Sequence, residues 1–198
     1  MTEKVEKRKK QQEKAALSRQ KLIDVAAKLF REKTIDEVGV REIAAAADVT
    51  TGTFYYHFKS KDDILDKVYL DRDAEFGTIL DALAEHAPET ESIITFFRDE
   101  LAATVEKDGV DFTLHRMFLM RKKSTDINRL YQGMLHLTEA VQWAGGFDAK
   151  YSCDEITKAL FLMFRGVVYD WCITPKDQQD SLREREDRAM RLICRSFH

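Results

Sequence analysis

VREIAAAADVTTGTFYYHFKSKDDIL, residues 40–65, is the stretch on which the reading of this chain turns. It divides into a short helix from Val40 to Ala46, a tight turn at Asp48, a short helix capped by Thr50 and ending near His57, and the start of another helix capped by Ser60. Asp48 stands where the turn calls for a left-handed backbone, which Asp tolerates better than most residues. The helix after the turn carries small hydroxyls and rings (Thr50, Thr51, Thr53, Tyr55, Tyr56, His57), with Lys59 and Lys61 behind it. A core helix would carry aliphatic side chains there, and a solvated one would carry charges of both signs. Hydroxyls, phenols and lysines together suit a helix that lies in a DNA groove and is pinned by phosphates.

Outward from that stretch the chain reads as helix after helix. Leu22, Ile23, Ala26, Leu29 and Phe30 fall on one face of a first helix, Leu17 to Arg31. Residues 1–16 are poor in apolar side chains and are expected to form a basic flexible arm. Ser60 with Asp63 opens a long fourth helix to about Glu85, and Pro88 opens a fifth over 89–107. Further helices are expected over 111–123, 125–144 (stopped by Gly145-Gly146), 152–173 and 177–196. The expectation is an all-α protein of three parts: the arm 1–16, a helix-turn-helix domain 17–62, and a helical body 63–198.

Composition agrees. Two prolines, eight glycines and 34% charged residues favour long helices, and 44% hydrophobic residues suffice for a core. No apolar run is long enough to span a membrane, and the lysine-rich start is no signal peptide. Cys153, Cys172 and Cys194 are odd in number and show no CxxC, so reduced thiols in a cytoplasmic protein are expected, with no metal site. The net charge of −3 is unevenly spread: residues 1–62 carry +4, and residues 63–198 carry −7. Residues 1–21 hold eight basic side chains against three acidic ones. A basic head on an acidic body is the footprint of a polyanion-binding module joined to something else.

These residues resemble the tetracycline-repressor (TetR/AcrR) family of bacterial transcription regulators. LIDVAAKLF, VREIAAAADV and above all TGTFYYHFKSKDDIL carry the resemblance, from Arg19 to Leu65. The resemblance implies an N-terminal three-helix helix-turn-helix domain, joined by a long helix to a ligand-binding and dimerisation domain. Thr50, Thr51 and Thr53 would face the major groove, with Gly52 allowing close approach. Tyr55, His57, Lys61 and Arg41 would meet phosphates, Lys59 would add charge, and Tyr56 could either read DNA or pack. Phe54 and Phe58 belong to the core. The arm would follow a phosphate track or enter an adjacent minor groove. Three positions depart from the family pattern: Thr34 and Asp48 where Gly is usual, and Gly39 where a Ser or Thr hydroxyl would meet a phosphate.

In the body, the eighth helix carries two apolar stripes: Ile156, Leu160, Met163, Val167 and Trp171 on one face, and Phe161, Phe164, Val168 and Cys172 on another. Two stripes imply burial on both sides. With Gly166 and with Leu182, Ala189, Met190 and Ile193 of the last helix, the first stripe resembles the family's homodimer interface. A two-fold pair would want a near-palindromic duplex. The family also implies a small-molecule effector held by aromatic and methionine side chains. Candidates are Phe97, Phe112, His115, Met117, Phe118, Tyr131, Met134, Trp143, Phe161, Phe164, Arg165 and Tyr169. Arg165 is expected either to pair with Asp170 or Glu139, or to meet an anionic ligand. The expectation is thus a repressor released by its effector, with control by a protein partner, or activation, as the alternative. A filled body core would favour the partner. The five histidines show no metal spacing, and no GxSxG, P-loop or dinucleotide pattern occurs, so no catalysis or cofactor is expected.

Overall fold

The computed structural model describes residues 2–122 and 129–198, with side chains for 5–117 and 129–198. Those residues form helices joined by short connections, without strands. The chain divides into two compact units, Met1–Asp71 and Arg72–His198. The boundary lies inside the long helix, nine residues beyond the expected one, because Ile64, Leu65 and Val68 are buried and side with the head.

The head contains α1 (Thr2–Glu32), α2 (Val40–Ala46), α3 (Thr51–His57) and the first turns of α4 (Lys61–His86). Its core comes from Leu22, Ala26 and Phe30 of α1, Ile35 and Val38 of the connection, Ile43 and Ala44 of α2, and Phe54 and Phe58 around α3. α1 differs from the expectation: residues 2–16 continue it as helix. That segment has no Gly or Pro and is built from Lys, Glu, Gln and Ala, all strong helix formers. Asp48 has the anticipated positive φ of 56°, and the Val49 N–H reaches back to the Ala44 carbonyl at 3.0 Å to close α2. Thr34 replaces the usual Gly without strain. Its N–H and hydroxyl both donate to the Glu37 carboxylate, at 3.0 and 2.8 Å, and hold that carboxyl below its ordinary pKa.

The body holds the rest of α4, then α5 (Thr90–Thr95), a π-helical segment Phe96–Ala102, α6 (Ala103–Lys122), α7 (Arg129–Trp143), α8 (Cys153–Ile173) and α9 (Leu182–Arg195). α5, the π segment and α6 follow without a gap, and the break anticipated between 107 and 111 falls at Gly109, φ 80°. The expected start of α7 at 125 lies outside the described residues. α7 ends at Trp143, two residues before Gly145 with its φ of 84°. A full capping box of Ser152 and Glu155 opens α8. α4 and α7 touch backbone to backbone: a methyl group on Gly133 would lie 3.0 Å from the Gly77 carbonyl oxygen. Cys172 and Cys194 are buried with thiols pushed up to about 11 and 12, so they stay protonated and act as small apolar side chains.

Glu186 of α9 is the exception in this packing. It is fully buried, and neither carboxylate oxygen has a hydrogen-bond partner among the described residues. Its helical neighbours one turn away on the same face are Leu182 and Met190, members of the body's two apolar clusters. Burial pushes the carboxyl up to about 9, so Glu186 is protonated in the folded protein at neutral pH. The unfolded chain releases that proton near pH 4.5. The associated stability is therefore complete below pH 4.5 and lost as pH rises toward 9, on the order of 3 kcal/mol of it by pH 7. Glu186→Gln is expected to unfold at higher temperature than the parent at pH 8, the gap closing toward pH 4.5. A constant gap across that range in thermal unfolding would contradict this account of the buried carboxyl.

Candidate nucleic-acid interface

α3 is seven residues long, too short to hold together alone. Two things fix it. Thr50 caps it, its hydroxyl oxygen accepting from the Thr53 N–H at 3.1 Å. Phe54, fully buried, and Phe58, 2% exposed, anchor its inner face with ring centres 5.8 Å apart. The Arg19 guanidinium of α1 lies over the Phe58 ring at 5.1 Å. Once those rings point inward, helical geometry turns Thr51, Gly52, Tyr55 and Tyr56 outward. Tyr55 is 59% exposed and Tyr56 77% exposed, which settles the open reading of Tyr56 against packing within the subunit. Arg41 and Lys59 are exposed on flanking segments, and Thr53 is half-buried.

Three expected contacts have other employment. His57 meets Ser18 of α1, with Nε2 2.9 Å from the hydroxyl. That hydroxyl donates its one proton to the Ala15 carbonyl at 2.9 Å, so its oxygen accepts from Nε2–H. In that tautomer Nδ1 has no proton to offer a phosphate. Burial, and then Arg19, lowers the His57 pKa and keeps the ring neutral. His57 is a strut between α3 and α1. Lys61 donates to the Ile35 carbonyl, which ties the start of α4 to the connection after α1. The Thr50 hydroxyl is engaged with Thr53, whose own hydroxyl lies 3.0 Å away. Gly39 leaves α2 without a side-chain cap, and the space around its Cβ position is open.

The body candidates sort by burial. Phe97, Phe112, Met134 and Phe161 are core residues. Tyr131 stacks on Phe161 at 5.9 Å, and its hydroxyl donates to Asp154 at 2.6 Å; burial first, then Asp154, raises the phenol to about 12. Phe164 and Met117 are half-buried against the same interior, and Phe118 lies outside the residues whose side chains are described. His115 is half-buried, its Nε2 enclosed and without a hydrogen-bond partner among the described residues. Trp143, 95% exposed, together with Arg165 and Tyr169, faces outward and lines no interior. Asp170, an expected partner of Arg165, pairs with Arg185 at 2.8 Å.

The dimer candidates need a similar correction. Ile156, Leu160, Trp171, Leu182 and Met190 are buried within their own subunit, because α8 packs on α6, α7 and α9 at once. The second stripe is consumed there, as are Ile156, Leu160 and Trp171 of the first, while Met163 and Val167 are only half-buried. The outward groove between α8 and α9 is lined by four of the expected residues, Met163, Gly166, Val167 and Ala189, together with Leu162 and Leu192, with Ile193 half-buried and Asp170, Arg185 and Arg188 among the polar groups. Leu162 and Leu192, 63% and 68% exposed, were missed in the sequence. For Leu162 the signal is a third helical row on α8, at 162, 166, 169 and 173, which is weak because it mixes Leu162 and Ile173 with Gly166 and Tyr169.

Among the described residues no group of His, Cys, Asp and Glu could hold a metal, and no helix is long and apolar enough to cross a membrane. Residues 22–68 match the model of bacterial regulatory proteins of the tetR family. The chain is 24% identical over 169 residues to the transcriptional repressor KstR2 of Rhodococcus jostii, covering 76% of each chain. The fold matches a TetR-family transcriptional regulator from Pectobacterium atrosepticum with a TM-score of 0.74 at 18% identity, over 93% of this chain and 95% of that one. It also matches the regulator FadR of Bacillus subtilis, solved with stearoyl-CoA, with a TM-score of 0.65 at 19% identity, over 90% and 99%. Residues 22–68 are thus similar to the DNA-binding head of the tetR family of bacterial regulatory proteins, and the fold of the whole chain is similar to that of TetR-family DNA-binding regulators.

Proposed function

We propose that this regulator is a cytoplasmic repressor that binds a near-palindromic duplex as a two-fold dimer and leaves it when a small molecule occupies the body. The observation that carries the DNA end is the division of α3 into a buried ring face and an exposed face of Thr51, Gly52, Tyr55 and Tyr56. Thr51 and Tyr56 then reach base edges, Gly52 lets the backbone approach, and Tyr55, Lys59 and Arg41 hold phosphates. Thr50, His57 and Lys61 orient the reading helix. In selection from random duplexes, the purified protein is expected to enrich sites with two half-sites about one turn apart. Tyr56→Ala, a surface change, should leave folding stability within about 0.5 kcal/mol and weaken binding to the enriched site roughly tenfold or more. Parental affinity in that variant would remove Tyr56 from the reading face.

The dimer is assigned to the outward α8–α9 groove. Leu162, Met163, Val167, Ala189 and Leu192 present apolar surface there, and Gly166 permits close helix approach. Four helices, two from each copy, would bury Leu162 and Leu192. Leu162→Glu with Leu192→Glu is expected to sediment as a single chain with near-parental helix content, and to bind the enriched site far more weakly. A two-chain mass for this variant would place the interface elsewhere.

For the effector, the reading rests on the aromatic cluster of Phe97, Phe161, Phe164 and Tyr131, and on FadR of Bacillus subtilis, a regulator of similar fold solved in complex with stearoyl-CoA. The π-helical segment that carries Phe97 belongs to a class of irregularity frequent at functional sites. An effector acts only through its different affinity for the DNA-competent and DNA-incompetent forms. Full burial of Phe97 and Met134 favours the second reading, control by a protein partner.

A further inference from the structure

The N-terminal part of α1 buries nothing: every side chain from Val5 to Lys14 is exposed. A helix segment that is polar on all sides contributes no core, so its role is sought in what its surface offers. From 5 to 21 there are seven basic residues against two acidic ones. Lys7, Lys10, Lys14, Ser18 and Lys21 follow at intervals of three or four, which puts them on one face. The glutamates, Glu6 and Glu13, sit on the neighbouring strip, and Glu6 stands 3.7 Å from Lys10 in a fully solvated pair of little strength.

The lower end of the lysine row is tied to the DNA-reading element. Ser18 receives the hydrogen bond from His57, at the end of α3. The Lys21 ammonium lies 3.9 Å from Asp48, the turn residue between α2 and α3. The row therefore begins beside the helix-turn-helix and continues along an uninterrupted helix for about 21 Å from Lys21 to Lys7, at 1.5 Å per residue. Ammonium groups one helical turn apart can meet successive phosphates, adding affinity without sequence information.

We infer that Lys7, Lys10 and Lys14 form a helical phosphate clamp that docks on the backbone of the same duplex that α3 reads. The occupant follows from charge complementarity and from continuity with the α3 face, and it rests on the DNA-binding reading above. The clamp is a rigid extension of α1 and sets the position of its three charges relative to the reading helix.

The test compares the full-length protein with its Lys7→Gln/Lys10→Gln/Lys14→Gln variant on the duplex enriched by the parent. Gln keeps helix propensity, and circular dichroism checks that the helix content is unchanged. The slope of log K against log salt is expected to become shallower by about 2–3 per half-site, with unchanged base preference. Phosphate ethylation interference should lose two or three positions per half-site. Parental slope and parental interference in the variant, with specific binding intact, would overturn the clamp and leave the DNA-binding reading standing. If the parent itself prefers no duplex at low salt, both fall.

Discussion

The architecture at the DNA end depends on the burial of two rings. Phe54 and Phe58 are the only large apolar side chains that α3 and its C-cap contribute to the head core. Burying each ring stabilises the fold by roughly 1.5–3 kcal/mol, which a seven-residue helix cannot supply from its own hydrogen bonds. The same anchoring fixes the rotation of α3 about its axis. At 100° per residue, fixing two side chains fixes all the others, so Tyr55 and Tyr56 face outward as a consequence of Phe54 and Phe58 facing inward. The His57–Ser18 bond and the Thr50 cap then hold the ends of the helix.

The body is organised differently. Its helices share a large apolar interior in which Phe96, Phe97, Met134, Leu137 and Leu160 leave little room. Irregularities interrupt it: the π-helical segment before α6, the backbone break at Gly109, and the Glu186 carboxyl, which has no hydrogen-bond partner among the described residues. A buried Glu without a hydrogen-bond partner among the described residues lowers stability as pH rises.

Local signals made most of the head legible. Thr50 and Ser60 are caps readable from residue type and spacing, and Asp48 was readable as the left-handed turn. Gly145 marked a real break, and the gap left between 107 and 111 falls at Gly109. What failed to be read depends on partners distant in sequence. His57 looked like a phosphate ligand because nothing nearby revealed Ser18, thirty-nine residues earlier. The stripe of Ile156 and Leu160 looked like an interface because a sequence does not say how many neighbours a helix has; three helices of the same subunit cover it. Trp143 passed as a pocket residue on chemistry alone, although it ends α7 and projects into solvent. The helical start of α1 was missed because a charged segment without an apolar face gives no periodic signal, whereas its helix propensity is high.

The central claim is that the exposed ring face of α3 meets duplex DNA while its buried face does not move. The chain has six tyrosines, and carbon-13 labelling of their rings would follow them together by NMR as an enriched duplex is added. The account predicts large shifts for the Tyr55 and Tyr56 ring resonances at saturation and unchanged resonances for the buried Tyr69. Saturating DNA binding that leaves Tyr55 and Tyr56 unperturbed would contradict it.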